Sequence, residues 1–483
     1  MNSNHKDVLI IGAGLSGINA AYQVQNKCPD HTYLVLEARE RMGGTWDLFR
    51  YPGIRSDSDM YTLGFPFRPW LEDKVMADGP TILKYIEDTA NEFGIDKNIL
   101  YSHKIVSSSW SSVKQIWTVQ VELVKENKIV EMTCNFLIMC SGYYDYDEGY
   151  APKFPNINDF KGKFVHPQKW DEGLDYSDKN IVVIGSGATA ITLIPSLAKK
   201  AKLVTMLQRS PSYIANIPQI DPAAGKLKKI FSKQVAHHLI RWKNILYSMY
   251  IFIFCRVFPN MAKKEILKKI QVTLDATPAQ MKHFTPDYNP WSQRLCMVPD
   301  NDFFNVLKSK KAVIVTDHIA SMTEDGIKLK SGELLKADII VSATGLKIKF
   351  LAGIQISIDD EKINISKTTP YKASMLSGIP NFAMIFGYTN ASWTLKCSLA
   401  TEWIGKVLLH MKKNNLKTVR PEKHPQIKPA SLINLSSGYI KRAEHLFPKQ
   451  GQKQPWKINQ NYILDILVYR IRPIRDKGLK FFK

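Results

Sequence analysis

Two stretches of the chain share one pattern of apolar and polar positions: a continuous apolar run, a glycine-rich turn, and residues with helical spacing. The first reads DVLIIGAGLSGINAAYQVQ from residue 7, and the second reads NIVVIGSGATAITLIPSLAKKA from residue 180. A continuous apolar run is typical of a parallel strand that is buried on both faces. Another apolar run follows each stretch, TYLVLEARE at 32–40 and KLVTMLQRS at 202–210. The pattern therefore predicts two βαβ units in one chain.

Further apolar runs extend both units into sheets. WTVQVELV at 117–124 alternates apolar and polar residues, whereas NFLIMCSG at 135–142, AVIVTD at 312–317 and ADIIVSATG at 337–345 are more continuously apolar. A hairpin is predicted around TEDGIKLKSGE, residues 323–333. NFLIMCSG and ADIIVSATG both end in small residues and glycine, which lets another backbone or a ligand come close. Because the two halves share both features, we expect two nucleotide-binding domains, one inserted within the other.

Three glycines of the first turn stand at the spacing of a dinucleotide-binding loop. Gly12 suits the tight turn, Gly14 the close approach of a pyrophosphate, and Gly17 the packing of the helix against the strand. The helix would offer its N-terminal NH groups to the phosphates. Glu37 lies twenty residues beyond Gly17 at the end of the next strand, where a carboxylate accepts hydrogen bonds from ribose hydroxyls and repels a 2′-phosphate. The first loop is therefore expected to bind FAD or NAD rather than NADP.

The second turn repeats this spacing with Gly185, Gly187 and Ala190. Where the first unit has a carboxylate, the second has Arg209 followed by Ser210. A guanidinium at this place forms charge-assisted bonds with a 2′-phosphate, so the second loop is expected to bind NADPH. Glycine spacing alone is a weak signal, but each loop also has its preceding strand, its following helix and its charged strand end. Two loops with opposite charges predict two different dinucleotides, with electrons passing from NADPH to FAD.

Together these patterns predict an α/β fold with two Rossmann-like, three-layer dinucleotide-binding domains, the NADP domain inserted in the FAD domain, plus a helical insert. Between 212 and 290 the chain becomes rich in lysine and in apolar residues at helical spacing. The expected ranges are 1–145 for the first part of the FAD domain, 152–212 for the first part of the NADP domain, 213–290 for the helical insert, 291–343 for the second part of the NADP domain, and 346–483 for the second part of the FAD domain with a basic C-terminal tail.

Composition places the chain among globular proteins, because 45% of its 483 residues are apolar. Its 66 Lys and Arg residues against 44 Asp and Glu residues give a net charge of +22, which favours anionic partners such as phosphorylated cofactors, nucleic acid or anionic lipid. A solvated basic surface explains the same charge, and both interpretations stay open. None of the usual nucleic-acid-binding motifs is recognised in the sequence, so no nucleic-acid partner is expected.

The six cysteines are scattered, and no two stand at CxxC spacing. This argues against a zinc site and against a disulfide framework, so no metal is expected, and it fits a reducing compartment. The chain enters a predicted strand almost at once, without a secretory cleavage pattern. We therefore expect a cytoplasmic location.

The most apolar run between 212 and 290, ILYSMYIFIF at 245–254, leaves two interpretations open. It is about half as long as a membrane span. With LIRWKN before it and KKEILKK after it, the run suits a basic helix at a lipid interface, which would put the protein peripherally on the inner membrane surface. The other interpretation is a buried helix of the helical insert.

Between the two loops the chain reads FKGKFVHPQKWD. This segment resembles the FxGxxxHxxxW(P/D) fingerprint of the Baeyer–Villiger monooxygenases, matched here by Phe160, Gly162, His166, Trp170 and Asp171. The related flavin-containing N- and S-oxygenases typically lack the Trp-Asp ending. The resemblance implies that His166 and Trp170 belong to a linker that couples the position of NADP to domain rotation, a conformational rather than a chemical role.

The resemblance extends nearly from end to end. GGTWDLFRYPGIRSDSDMYTLGFPFRPW, NPWSQRLCMVPDND and GYTNASWTLK are similar to the family's subgroup of ethionamide-activating and long-chain-alkane monooxygenases. The resemblance implies FAD, NADPH and O2 as reactants, with a small apolar organic substrate. It also implies that reduced flavin adds O2 at C4a, and that the resulting peroxyflavin attacks a ketone carbonyl to give an ester or lactone.

The resemblance also implies catalytic residues. Arg294, in SQRLC, takes the place of the permanent cation beside the anionic peroxide and its adduct, and Asp57 matches the aspartate that orients this arginine. Many family members have a lysine just before the arginine that helps to hold the 2′-phosphate, whereas this chain has Gln293. NADPH remains the expected donor, held more heavily by Arg209.

A further segment is implied to approach the flavin. Gly44, Thr45 and Trp46 fit this segment by family position. Gly43 and Gly44 form a glycine pair, which permits close contact between the backbone and a bound ring.

The expected function is an NADPH- and O2-dependent flavoprotein monooxygenase that inserts oxygen next to the carbonyl of an apolar ketone, with S-oxygenation as a side activity. Hydroxylation of long-chain alkanes is the alternative favoured by the subgroup and by the basic, apolar insert, although a peroxyflavin is a poor oxidant of unactivated C–H bonds. An N- or S-oxygenase is disfavoured by the Trp-Asp ending. A flavin disulfide reductase or electron carrier also uses paired loops, but a reductase needs a redox-active cysteine pair, and the sequence has no CxxC or CxxxxC.

Overall fold

The apolar run at the start of the chain lies inside a nine-stranded sheet. The structure is a computed structural model and describes residues 4–483. In chain order the strands are β1 (His5–Ile11), β2 (Tyr33–Leu36), β3 (Ile99–Leu100), β4 (His103–Ser111), β5 (Ile116–Leu123), β6 (Lys128–Met139), β7 (Lys163–Val165), β8 (Asn180–Ile184), β9 (Leu203–Gln208), β10 (Ile214–Ile217), β11 (Cys296–Pro299), β12 (Ala312–Thr316), β13 (Ile319–Thr323), β14 (Gly326–Leu329), β15 (Leu334–Lys336), β16 (Ile339–Ser342), β17 (Gln355–Ile358), β18 (Glu361–Lys362), β19 (Pro370–Tyr371), β20 (Met375–Leu376), β21 (Phe382–Met384), β22 (Thr418–Pro421), β23 (Pro429–Ala430), β24 (Gln450–Gly451) and β25 (Leu479–Phe482).

The segments predicted to be helical after the two glycine turns form the first and fifth α-helices. In chain order the α-helices are α1 (Leu15–Lys27), α2 (Thr45–Leu48), α3 (Met60–Leu63), α4 (Gly79–Glu92), α5 (Ala188–Leu197), α6 (Pro222–Ile230), α7 (Lys233–Val257), α8 (Pro259–Leu274), α9 (Asp302–Lys308), α10 (Trp393–Lys413), α11 (Gly438–Ala443) and α12 (Tyr462–Ile466), which continues into a π-helical turn at Leu467–Ile471.

The first sheet has the order β18-β17-β4-β5-β6-β1-β2-β3, with β21 pairing to β6 as well. Strand β1 lies parallel between β2 and β6, which accounts for its continuous apolar run, because neither face meets water. Val8 and Ile10 face the core that includes α1 and α10. Leu9 and Ile11 face the opposite core, which the tryptophans of the antiparallel strands β4 and β5 fill. This sheet has layers on both faces.

The second sheet has the order β12-β9-β8-β16-β7, and every neighbouring pair is parallel. Ile181 and Val183 of β8 pack with residues of α5 and α9. Val182 and Ile184 pack on the other face, against the small antiparallel sheet β13-β14-β15. Alternate residues of one strand thus contact different layers. The predicted α/β fold with two dinucleotide-binding sheets is confirmed.

Two details differ from the sequence analysis. The segment just before the predicted linker residues His166 and Trp170 is a strand, because β7 adds to the edge of the second sheet beside β16. The predicted helical insert begins with a strand, since β10 pairs in parallel with β11. Helices α6, α7 and α8 follow it.

The end of the chain is folded rather than extended as a tail. Strand β25 pairs antiparallel with β22, and Leu479 is buried against the core beneath the first sheet. The basic side chains of this segment, such as Lys480, stay exposed. An alternating strand explains both observations, because successive side chains point to opposite faces.

Two chain segments connect the sheets, and they pair with each other. The amide of Asp145 donates to the carbonyl of Lys347 at 2.9 Å, and that of Lys349 donates to Tyr143 at 3.0 Å. Further along, the amide of Tyr150 donates to Gly345 at 3.2 Å. The connection is therefore a short double-stranded ribbon rather than two separate loops.

Candidate functional site

The first glycine turn packs tightly against the end of β6. Gly12 has φ +102°, and a Cβ atom there would lie 2.8 Å from the carbonyl oxygen of Cys140. A Cβ on Gly17 would lie 1.8 Å from the carbonyl oxygen of Gly12. Helix α1 starts directly after Gly14, and no side chain caps its N-terminus. Its first NH groups thus face the turn without a side-chain acceptor, as a phosphate site requires.

The second glycine turn repeats this arrangement at the end of β16. Gly185 has φ +136°, and a Cβ atom there would lie 2.3 Å from the carbonyl oxygen of Ala343. Gly187 precedes α5, which also lacks a side-chain cap. A Cβ on Gly187 would meet nothing within 4 Å, so this position faces open space. The close backbone approach predicted from the endings CSG and ATG is confirmed in both halves.

Both turns line one cleft of about 1220 Å³. Most ligand sites occupy about 300–1000 Å³, so this cleft has room for more than one ligand. The open cradle at Gly187 and the uncapped helix N-termini fit two bound dinucleotides. The predicted residues that line the cleft are Gly12, Gly14, Glu37, Gly43, Gly44, Thr45, Trp46, Asp57, Gly185, Gly187, Arg209, Ser210, Gln293 and Arg294.

Other predicted residues lie behind the cleft wall. Gly17 and Ala190 sit within the helices that follow the turns, where Ala190 is fully buried. Their small size allows α1 and α5 to approach the strands, which is a packing role. Neither is among the cleft-lining residues.

Glu37 lies at the end of β2 and is 5% exposed. Its carboxylate accepts hydrogen bonds from the amide of Ala13 at 2.8 Å and from that of Arg39 at 3.0 Å. Burial raises the pKa of Glu37, and the two amide bonds oppose this effect. A ligand hydroxyl that donates to this carboxylate would add to the stabilisation of its charged form.

At the other end of the cleft, Arg209 and Ser210 follow β9 and are exposed. Because β12 pairs with β9 in register, Asp317 and His318 come to lie beside them: the amide of Asp317 donates to Gln208 at 3.0 Å. Lys330 also lines the cleft here, and its amide donates to the carbonyl of His318 at 2.9 Å. These two basic residues were not predicted from the sequence, although a pairing of the runs at 202–210 and 312–317 would have placed them.

The glycine pair lies against the first turn. The amide of Gly43 donates to the carbonyl of Ala13 at 3.0 Å, and a Cβ on Gly44 would lie 3.1 Å from the Cα of Gly14. Thr45 begins α2, and its hydroxyl is 3.4 Å from that of Tyr146. The two segments predicted to touch a flavin cofactor are thus in contact with each other.

A buried carboxylate missed by the sequence analysis fixes this region. Asp47 is 1% exposed and pairs with Arg39 at 2.8 Å, with Arg41 at 3.4 Å and with Arg50. Arg39 also lines the cleft, two residues beyond Glu37. The only sequence signal for this cluster is the density of charge between residues 37 and 50.

Arg294 and Asp57 form a two-pronged ion pair in the middle of the cleft. The Nε atom donates to Oδ2 and the Nη2 atom donates to Oδ1, both at 3.0 Å. Asp57 raises the pKa of the arginine further, so the guanidinium stays charged at any working pH. Both side chains are partly exposed to the cleft. Residues 237 positions apart in the sequence are thereby brought together.

Aromatic rings surround this ion pair. The hydroxyl groups of Tyr143 and Tyr144 are 3.0 Å apart, and the Tyr143 ring stacks on Trp393 with centroids 5.5 Å apart. Tyr439 completes this part of the lining, and burial raises its pKa to about 12. These phenols are therefore neutral donors at ordinary pH, and Arg294 is the permanent cation among them.

A second buried charge pair supports the cleft wall. The hydroxyl of Tyr388, which lines the cleft, donates to Asp465 at 2.5 Å. Lys396 is 1% exposed and contacts the same carboxylate at 3.2 Å. Burial lowers the pKa of Lys396, and the adjacent carboxylate opposes that shift. This link joins α10 to α12, 69 residues further along the chain.

The fingerprint residues are not part of the cleft lining. The His166 ring packs against Gly149, where a Cβ would lie 1.9 Å from it, so it contacts the ribbon that connects the sheets. Phe160 is buried beneath the small sheet, and Gly162 allows its backbone to approach Asp338. Trp170 packs on Tyr176 with ring centroids 6.4 Å apart.

Comparison with known proteins gives a consistent result. Residues 5–408 match the family model described as flavin-binding monooxygenase-like. The chain is similar to the FAD-containing monooxygenase EthA of Mycobacterium tuberculosis, with 48% identity over 485 residues, 100% of this chain and 98% of that protein. It is also similar to the probable FAD-binding monooxygenase AlmA of Acinetobacter sp, with 48% identity over 480 residues, 99% of this chain and 96% of that protein.

A solved structure shares the fold at low identity. It is described as an oxidized steroid monooxygenase bound to NADP, and it matches with a TM-score of 0.78 and 20% identity over 99% of this chain and 100% of that chain.

Proposed function

The chain belongs to the flavin-binding monooxygenase-like family, and from this premise we propose that it inserts one oxygen atom of O2 next to the carbonyl of an apolar ketone. The observation that carries the proposal is the Arg294–Asp57 ion pair, which holds a permanent cation in the cleft between the two dinucleotide turns. An ester or lactone is the expected product.

The enzyme is a monooxygenase that uses FAD and NADPH. Relatives at 48% identity are described as FAD-containing or FAD-binding, and the solved structure with the same fold has NADP bound. In this chain the turn at Gly12, with the Glu37 carboxylate, fits FAD. The turn at Gly187, with Arg209, Lys330 and His318 at its far end, fits NADPH.

When bound and reduced, the flavin supplies the activated oxygen atom. The task of Arg294 is to stabilise negative charge that builds on the carbonyl oxygen of the ketone as its carbon is attacked. Asp57 accepts two hydrogen bonds from the guanidinium and so fixes its plane. An arginine held in advance needs little reorganisation during the reaction, which is the main source of electrostatic catalysis.

The surrounding rings select the substrate. Trp393 and Tyr143 form an aromatic wall of the cleft. Phe386 packs behind them, with Tyr143–Phe386 and Phe386–Trp393 centroids both 5.3 Å apart. The Trp393 Nε1 atom donates to the hydroxyl of Ser16 at 2.9 Å, which ties this wall to the first turn. An apolar wall excludes water and favours an apolar ketone.

The test is a product assay with the purified holoenzyme, NADPH and 18O2. A long-chain methyl ketone, the alkane of equal length and a thioether are offered separately, and products are identified by mass spectrometry. The proposal expects an ester that carries one 18O atom. Alcohol from the alkane without ester from the ketone would refute it, and so would NADPH consumption that yields only peroxide.

Arg294→Ala gives a sharper test within the same assay. Loss of the guanidinium should lower ester formation by about 100- to 1000-fold, with the rate of flavin reduction by NADPH kept. Sulfoxide formation from the thioether should fall less, because no oxyanion forms on a neutral sulfur. The control is Arg256→Ala, an exposed arginine of α7 outside the cleft, which should leave all three rates unchanged.

Hydroxylation of a long-chain alkane is the second candidate. The exposed apolar face of α7 favours it, because such a face suits a substrate that resides in lipid. The same product assay separates the candidates by ester against alcohol.

A further inference from the structure

The inner side of helix α7 buries two polar side chains, His237 and Arg241, among four small or apolar ones, and its outer side exposes apolar residues. On its inner side the Nδ1 atom of His237 donates to the carbonyl of Trp70 at 3.0 Å. Arg241 is buried, and its Nη1 atom donates to the carbonyls of Tyr61 at 2.5 Å and Gly64 at 2.9 Å. A helix that packs on a soluble core instead carries polar residues on its outer side. Within residues 245–254 only Ile245 is buried, so the interpretation of this run as a buried helix is wrong.

The outer side carries a continuous apolar stripe at steps of three and four residues. Its members are between 42% and 61% exposed. At 1.5 Å per residue, the stripe is about 33 Å long. The members are Val235, Leu239, Trp242, Leu246, Tyr250, Ile253 and Val257.

Basic side chains surround the stripe. Between residues 222 and 274, which hold α6, α7 and α8, the chain has 11 Lys and Arg residues and one acidic residue, Glu265. Of these 11, Arg241 is buried on the inner side, and Lys228 and Lys243 pair with Asp73 and Asp221. Lys264, Lys268 and Lys269 on α8 are exposed. Helix α8 turns away from α7 by 113°. Lys233 at the start of α7 and Arg256 near its end are exposed as well, so the stripe has positive charge at both ends.

A second apolar and basic segment adjoins the first. The ring of Trp242 lies 5.9 Å from that of Tyr462, which begins α12. Four exposed apolar residues follow, and the last of them lies between two exposed arginines. They are Ile463, Leu464, Leu467 and Ile471, with Arg470 and Arg472.

We propose that the outer face of α7 docks on the surface of an anionic lipid bilayer. An apolar stripe with a basic border is the arrangement of a helix that lies in the headgroup region, and each nearby lysine adds attraction to anionic lipid. Two copies of this chain joined by the same face would instead bring two strongly basic borders together. Within residues 4–483, no single helix is long and apolar enough to cross a membrane, and the pair α7 and α8 passes that test only together, with a bend of 113° between them. The contacts of His237 and Arg241 hold the inner side of α7 against the protein, which leaves a position on the membrane surface for its outer side. The proposal does not depend on the reaction proposed above.

The experiment measures sedimentation of the holoenzyme with vesicles of phosphatidylcholine, alone or mixed with phosphatidylglycerol. Binding to the anionic vesicles should be at least about tenfold stronger and should weaken with added salt. Leu246→Glu with Ile253→Glu should reduce it by at least about tenfold. The matched control is Val113→Glu with Ile129→Glu, which adds the same charge at residues 94% and 58% exposed, in the turn between β4 and β5 and on β6.

Two further measurements make each outcome decisive. FAD content and NADPH oxidation of each variant check that it is folded. Replacing Lys264, Lys268 and Lys269 by Gln should lower binding to anionic vesicles severalfold. Equal binding to both lipids, or an equal loss in the control variant, overturns the proposal. So does a wild-type dimer in gel filtration that the α7 variant converts to a monomer without vesicle binding, because the face would then join two copies.

Discussion

Replacing Arg209 by alanine tests the electrostatic argument for two different dinucleotides. A hydrogen bond to a charged group contributes about 1.5–3 kcal/mol. Arg209 is exposed, so water competes for the same phosphate and the lower figure applies. A free-energy loss of about 1.4 kcal/mol corresponds to a factor of ten. We therefore expect kcat/KM for NADPH to fall about tenfold.

The comparison with NADH separates this effect from damage to the site. NADH lacks the 2′-phosphate, so its kcat/KM should be unchanged in Arg209→Ala. Lys330 lies at the same end of the cleft, and Lys330→Ala should lower kcat/KM for NADPH in the same direction by a smaller factor. The converse change, Gln293→Lys, should raise the preference for NADPH severalfold, because it adds a cation beside Arg294 in the cleft lining.

The assay is the initial rate of NADPH or NADH oxidation over a range of coenzyme concentrations at fixed ketone and O2. Measurements at low and high salt add a check, since a phosphate contact at an exposed arginine weakens with ionic strength. An equal loss for both coenzymes would refute the reasoning, because Arg209 would then act on a part that the coenzymes share. Unchanged kinetics with NADPH would refute it as well. Arg256→Ala serves as the control for loss of one exposed positive charge.

Three further changes have defined outcomes. Asp57→Asn should leave the rate of NADPH oxidation within about twofold of wild type but change the product from ester to peroxide. The reason is that an amide has one oxygen in place of the two carboxylate oxygens that accept the bonds from Arg294. An unchanged yield of ester per NADPH would contradict this. Gly187→Val should keep its FAD content and thermal midpoint while its KM for NADPH rises at least about tenfold. Gly185→Val should fail to fold, since its Cβ would lie 2.3 Å from a carbonyl oxygen. If the two variants were equal in solubility and in KM for NADPH, this distinction between the glycines would be wrong. Burial lowers the pKa of His237 to about 4. As the pH falls, the unfolded chain therefore binds a proton at this residue before the folded chain does, and the free energy of unfolding should fall by about 3 kcal/mol between pH 6.5 and 4. Denaturant titration should show a steeper loss of stability over this range in wild type than in His237→Gln.

The dinucleotide turns could be predicted from the sequence because their physical requirements fall in short windows. A tight turn, a close backbone approach and a strand-end charge each restrict one or two positions. Gly12 and Gly185 show the restriction directly, since a Cβ on either would contact a carbonyl oxygen. The family resemblance is confirmed by the match over residues 5–408.

The remaining parts of the site depend on contacts between distant residues. Lys330 and His318 reach Arg209 only because β12 pairs with β9, and neither has a local signal. Arg294 and Asp57 could be paired only through the family resemblance. The family resemblance implies a linker at His166 and Trp170. That the three residues before His166 form the edge strand β7 depends on pairing with the distant strand β16.

Helix α7 shows a different limit of sequence analysis. Spacing identifies an apolar stripe, but the same stripe suits a protein core or a lipid surface. What decides is the other side of the helix, where Arg241 and His237 contact backbone carbonyls of the segment at 61–70. Only the folded chain shows that these polar residues face inward. The apolar stripe therefore lies on the outer side of the helix.

The two proposals meet in helix α7. Its Phe252 ring packs against Trp291, with centroids 5.5 Å apart, three residues before Arg294. Its Ile245 lines a narrow crevice together with Tyr388, which is also part of the cofactor cleft. A helix that rests on lipid with one side and packs beside the wall of the cleft with the other would place the entrance of an apolar substrate near the membrane surface. Because such a ketone partitions into lipid, its concentration in the bilayer rather than in water would then set the rate of turnover.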